Sequence, residues 1–185
     1  MFVHAYVDES YDLTIGVYIL TATIVDLTDA EDFRSTMRGL RRGGEKLHWS
    51  KEPPHRRTEL TKVLSSLLVH SVVAIGCSKP LFPERGRRKC LESLLPELET
   101  HGADIATFET RQKHSNKLDA DMVDACRQKR LITSNIRITF APGTSEPLLW
   151  IPDIVCGIAL SAERGDEKYL RQAGERIRII RINAR

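Results

Sequence analysis

"MFVHAYVDES", residues 1–10, decides how this chain is read. Phe2 to Val7 is an apolar, strand-forming run with apolar side chains of both parities, which suits a strand covered on two faces. It passes without a linker into Asp8, Glu9 and Ser10. Acids at a strand tip either stop the strand and start a turn, since Asp and Ser hydrogen-bond nearby backbone, or form the first half of a metal site. The next stretch, "LTIGVYILTATIVD" (13–26), is rich in β-branched and aromatic residues and follows the turn-like "SYD" (10–12). The pattern predicts an antiparallel hairpin.

Working outward, "LTDAEDFRSTMRGLRRGG" (27–44) carries the N-cap candidate Thr28, early acids, late bases and a closing Gly pair, all signs of a helix. "EKLHWSKEPP" (45–54) is cut by prolines and reads as a brief strand or loop. "HRRTELTKVLSSLLVH" (55–70) has a helical stripe at Leu60, Val63, Leu64, Leu67 and Leu68. "SVVAIGCS" (71–78) is a buried strand. "PERGRRKCLESLLPELETHG" (83–102) is a helix in which Pro96 marks a kink or an end. "ADIATFET" (103–110) is a strand with Glu109 at its tip. "SNKLDADMVDACRQKRL" (115–131) reads as a helix capped by Ser115, and "IRITFAPG" (136–143) as a strand closed by a Pro-Gly turn. "PLLWIPDIVCGIALSAERG" (147–165) is the most apolar helical segment, with Pro152 tolerated in its first turn. The final "ERIRIIRIN" (175–183) alternates Arg and Ile until Ile179 and Ile180 stand together, which predicts an edge strand with a bulge or frayed register. Strands first, then alternating helices and strands, imply a mixed sheet flanked by helices: one α/β domain over residues 1–185.

Composition narrows the function. With 185 residues, 41% hydrophobic and 29% charged, the chain is typical of water-soluble globular proteins, and no apolar run approaches the roughly 20 residues of a membrane helix. No signal-peptide pattern opens it, so a cytoplasmic protein with no membrane partner is expected. Cys77, Cys90, Cys126 and Cys156 are scattered singly, without the paired spacing of a zinc or redox site. The net charge is +3, with bases bunched at 38–42, 84–89, 127–130 and 176–181, which suits either phosphate backbones or solvated faces. No G-x-S-x-G elbow and no phosphate-cradling P-loop is present, which argues against serine-hydrolase and nucleotide-triphosphatase chemistry.

Three acids occupy comparable places: Asp8 closes the first strand, Glu109 a later one, and Asp153 opens the apolar helix. Neighbouring strands bring the first two to one sheet edge, and a first-turn carboxylate can point at the same spot. On that helix Asp153, Cys156, Gly157 and Leu160 share a face, where small residues leave room for a ligand. Converging carboxylates repel, so such a set is normally held by a hard divalent cation, Mg²⁺ or Mn²⁺. With two ions the same geometry hydrolyses phosphodiesters. Alternate strand residues face opposite ways, so Asp8 is favoured for the chemistry, leaving Glu9 to hold the turn or orient His48. Taken singly, the same residues are also a pair of turn formers, a strand terminator and a helix-dipole partner. His48 is a metal ligand, a proton shuttle or a satisfied core histidine. Trp49 stacks on a base or packs. Arg111, Lys113 and Lys117 follow Glu109 and either contact phosphate or line a solvated loop.

"YVDES" (6–10), "KLHWS" (46–50) and "LLWIPDIVCGIAL" (148–160) resemble, in that order, signature blocks of the DUF3800 family. The resemblance implies an RNase H-like fold, presumed metal-dependent nuclease activity on nucleic acid, and Asp8, Glu9, His48, Glu109 and Asp153 lining one site. This chain has Tyr11, Glu109 and Pro152 where that family commonly has Gly, Asp and Ala. The expectation is therefore a nuclease with Asp8, Glu109 and Asp153 on Mg²⁺ or Mn²⁺. The alternatives are a non-catalytic module of the same fold that binds nucleic acid or protein, and a hydrolase of small phosphorylated compounds.

Overall fold

The computed structural model describes residues 2–133 and 136–184. Its centre is a hairpin of β1 (Val3–Asp12) and β2 (Val17–Asp26), paired antiparallel from Val3↔Asp26 to Asp12↔Val17. The turn lies at residues 13–16, later than "SYD" suggested. Gly16 closes it at φ +72°, and its N–H donates to the Asp12 carbonyl at 2.9 Å. β1 thus continues past Asp8, and what ends at the acids is its pairing with β4 (Ala103–Glu109), whose last partners are Val7↔Phe108.

Around the hairpin the sheet is completed by β3 (His70–Cys77), β5 (Arg137–Ala141) and β6 (Ile177–Asn183), in the order β5-β4-β1-β2-β3-β6. β2 runs antiparallel to both neighbours, and the other pairs are parallel. Helices α1 (Ala30–Leu40), α2 (Pro54–Ser66), α5 (Trp150–Glu163) and α6 (Lys168–Ala173) cover one face, and α3 (Pro83–Thr100) and α4 (Lys113–Gln128) the other. This is the mixed α/β sheet flanked by helices that the sequence predicts. Among the described residues no helix is long and apolar enough to cross a membrane.

Strand parity assigns side chains to the two layers. Val3, Ala5 and Val7 enter the layer under α3 and α4, whereas Tyr6 enters the layer under α5. Asp8 therefore faces α5 and Glu9 faces α3. α5 is buried on every side from Trp150 to Leu160 except at Asp153, which is half-buried. An all-round apolar helix has to lie in the protein interior, and that carries the carboxylate inward with it.

Several local expectations are corrected. Thr28 does not cap α1: its N–H and hydroxyl donate to Asp26 Oδ1, each at 3.0 Å, and Asp29 takes the N-cap position. Ser115 lies inside α4, which begins at Lys113. "EKLHWSKEPP" takes the loop alternative, with a short 3-10 helix at Trp49–Lys51, and α3 continues through Pro96. β6 is an edge strand as expected, yet it pairs with β3 in unbroken register from Ser71↔Ile177 to Cys77↔Asn183. The adjacent isoleucines need no bulge, because both faces at this edge are covered: Ile177 and Ile179 join one core layer, and Ile180 and Ile182 the other.

Candidate metal centre

The candidate site lies outside the carboxyl ends of the parallel strands β1 and β4, the usual position for a ligand in an open α/β sheet. A cavity of about 280 Å³ there is lined by Asp8, Glu9, Lys46, His48, Glu109, Arg111 and Asp153, with Val7, Arg87 and Thr110. Four segments that are distant in sequence, β1, the 46–48 stretch, the end of β4 and the first turn of α5, thus bring Asp8, Glu9, His48, Glu109 and Asp153 to the lining of one cavity. Lys113 and Lys117 are outside the lining, exposed on α4. Of the three predicted phosphate-binding bases, only Arg111 reaches the cavity.

Burial and then the negative charges of Asp153 and Glu109 push the Asp8 carboxyl well above the usual carboxylate range. The Glu9 N–H, which donates to Asp8 Oδ1 at 2.8 Å, and the Lys46 ammonium oppose that shift without cancelling it. Asp153 is held from two sides. Its Oδ2 accepts the Trp49 N–H at 2.7 Å, and its Oδ1 lies 3.7 Å from His48 Nδ1. His48 is therefore oriented by Asp153 and not, as expected, by Glu9. Glu109 pairs with Lys46. Gly143 admits that pair: a Cβ there would stand 2.6 Å from Glu109 Oε1 and 2.9 Å from Lys46 Nζ.

Glu9 belongs to a different network, on the far side of the sheet. Its carboxylate accepts from Tyr18 and from Arg87. Arg87 in turn grips Asp119 with two hydrogen bonds of 2.8 Å, and Arg111 joins the same Asp119 at 3.1 Å and Glu84 at 2.6 Å. Arg87 and Asp119 are both buried. A buried arginine needs this bidentate pairing to offset its desolvation. Glu9 is thus a positioning residue for the strand that carries Asp8.

Trp49 packs and does not present a stacking face. It is 5% exposed, meets Tyr169 edge-on at 5.0 Å between centroids, and lies so close to α5 that a Cβ on Gly157 would be 2.0 Å from its Cδ1. The room that "DIVCG" suggested for a ligand is, at Gly157, taken by this indole.

Sequence reasoning missed Lys46 and the pair Arg87–Asp119. Lys46 stands two residues before His48 in an extended segment, a spacing that puts both on one side. Arg87 heads the buried stripe Cys90, Leu91, Leu94 of α3, and Asp119 heads Met122, Val123, Cys126 of α4. A charge of each sign leading an apolar stripe is a readable sign of a buried pair.

The donor set fits a hard divalent cation in kind: three carboxylates from three elements, one of them raised by burial and then by the charge of the other two. It is not assembled as a coordination shell, for among the described residues no three His, Cys, Asp or Glu side chains stand together so as to hold a metal ion. The Lys46 ammonium pairs with Glu109, and the Trp49 N–H and His48 hold Asp153. Comparison with protein-family models and with curated proteins finds no match to this chain.

Proposed function

We propose that the chain is a metal-dependent phosphodiester hydrolase acting on nucleic acid, an RNase H-like nuclease of the kind that the DUF3800 resemblance implies. The observation that carries this reading is the convergence on one cavity of Asp8, Glu109 and Asp153, with Asp8 raised by burial and then by the charge of the other two. Residues that repel one another when ionised lower the stability of the fold, and a cation is the group that reverses this. Asp8, Asp153 and Glu109 would hold Mg²⁺ or Mn²⁺, with Glu109 exchanging Lys46 for the ion. A divalent cation bound there supplies Lewis-acid stabilisation of phosphoryl oxygens and activation of water at neutral pH. Lys46, once released, presents positive charge to the phosphate. His48, with Nδ1 beside Asp153, is placed to carry a proton to or from the reacting group.

A second reading, a non-catalytic nucleic-acid-binding module, is favoured by one observation: Lys46 already neutralises Glu109. Titration calorimetry with Mn²⁺ on the parent, Asp8→Asn and Asp153→Asn, followed by cleavage assays on single-stranded DNA, RNA and plasmid, separates the two. The nuclease reading expects Mn²⁺ binding and Mn²⁺-dependent cleavage that both variants lose. A parent that binds oligonucleotide but neither takes up Mn²⁺ nor cleaves would establish the module instead.

A further inference from the structure

A second cavity, of about 290 Å³, lies against the first and shares Glu9 and Asp153 with it. Its walls come from the end of β1, the 3-10 helix and the exposed end of α5: Ser10, Ser50, Arg57, Ser161 and Arg164 give it a polar lining. Asp153 is therefore not at the bottom of a blind pocket. It stands where two cavities meet, the first lined by Lys46 and Arg111, both ion-paired with carboxylates, and the second by Arg57 and Arg164.

The cations of the second cavity differ. Arg164 is neutralised by Asp12, with bonds of 2.8 and 2.5 Å. Arg57 is held by neutral acceptors: its Nε donates to the Trp49 carbonyl at 3.2 Å and its Nη2 to the Ser50 carbonyl at 3.3 Å, while its guanidinium lies over the Trp49 ring at 5.4 Å from the centroid. These contacts fix the guanidinium without cancelling its charge. Among the described residues no carboxylate pairs with it in an ion pair. A fixed, uncompensated guanidinium in a hydroxyl-lined cavity suits a phosphate oxygen.

We propose that the second cavity seats the nucleic-acid strand beyond the reacting bond, with Arg57 holding a backbone phosphate, so that the substrate is a continuous strand cut internally and not a nucleotide or a free end. This rests on the nuclease reading for the first cavity. It follows from where Asp153 stands: a bond reacting beside it leaves chain on both sides, and each side has a cavity, the second with Arg57 in its wall.

The test is affinity for a labelled single-stranded 12-mer, read by fluorescence anisotropy with chelator present, beside Mn²⁺-dependent hydrolysis of bis(p-nitrophenyl) phosphate, a diester too short to reach Arg57. Arg57→Gln is expected to weaken 12-mer binding by about tenfold and to lower the slope of log affinity against log salt by about 0.7, the loss of one phosphate contact on a single strand. Hydrolysis of the short diester is expected to stay at the parental rate. Ser161→Glu, which changes the α5 side of the lining and leaves Arg57 in place, is expected to give the same split by placing a negative charge in the cavity. Unchanged 12-mer affinity and salt slope in both variants would overturn the assignment while leaving the nuclease reading intact. A parent that cleaves the short diester but does not bind the 12-mer would overturn it too, and a parent without Mn²⁺-dependent hydrolysis removes the reading beneath it.

Discussion

The backbone N–H of Trp49 donates a 2.7 Å hydrogen bond to Asp153 Oδ2, across a separation of 104 residues. This one contact ties the 46–50 segment to the first turn of α5 and fixes the direction of the carboxylate, because the Trp49 indole on the other side of the same residue is wedged against Gly157.

Gly157→Ala is expected to disrupt that arrangement. The added methyl would overlap the indole, and overpacking of this kind costs about 1–3 kcal/mol. Because Trp49 has to move, the Asp153 hydrogen bond weakens as well, so both a lower denaturation midpoint and reduced Mn²⁺ affinity are expected. A variant with parental stability and parental Mn²⁺ binding would contradict this account of the site.

Asp8→Asn is expected to stabilise the metal-free protein. The folded-state pKa of Asp8 is raised, by burial first and then by Asp153 and Glu109, so the folded state holds its proton more tightly than the unfolded chain does. Stability from this group is therefore present in acid and lost as pH rises from the ordinary carboxylate range, about 3.9 for Asp, through the raised value. Thermal melts in chelator should show the variant above the parent at pH 7–8, with the gap closing towards pH 4. Each kcal/mol is worth about 2–4 °C at this chain length. Added Mn²⁺ should raise the melting temperature of the parent alone. A variant that melts below the parent at pH 8 in chelator would refute the repulsion argument.

Arg87→Met is expected to be among the more damaging single changes outside the cavity. It leaves Asp119 and Glu9 without their shared cation in a buried setting, and losing one partner of a buried pair costs about 3–5 kcal/mol. Urea denaturation measures the loss. A change below 1 kcal/mol, on the order of an exposed ion pair, would show that the network contributes little.

Cysteine reactivity gives an independent check on the packing. Cys77 is exposed, whereas Cys90, Cys126 and Cys156 are buried, and burial pushes the Cys90 thiol up to about 12. One thiol per chain should react with Ellman's reagent at pH 8 under native conditions, the other three only after denaturation. Fast reaction of two or more would mean that the core layers are misassigned.

Sequence by itself determined the local pieces. Alternating and β-branched runs gave the hairpin and the later strands, and the apolar run of 148–160, broken by Asp153, marked α5 as the most apolar helical segment, because a segment so poor in polar residues has no stable place at the surface. Parity alone separated Asp8 from Glu9, and the structure does turn them to opposite layers. Weaker one-residue signals fared worse: Thr28 and Ser115 looked like caps, but a hydroxyl can bond several nearby backbone groups and the first turn begins where packing places it.

Tertiary structure alone decided what those pieces meet. That Lys46 pairs with Glu109, that Arg87 binds Asp119 and Glu9, that Trp49 fills the space at Gly157, and that a second cavity opens beyond Asp153 all depend on distances between segments up to about a hundred residues apart. Pattern and propensity act over a few residues. Coulomb interaction and close packing act through space, and the chain order does not encode which residues they join.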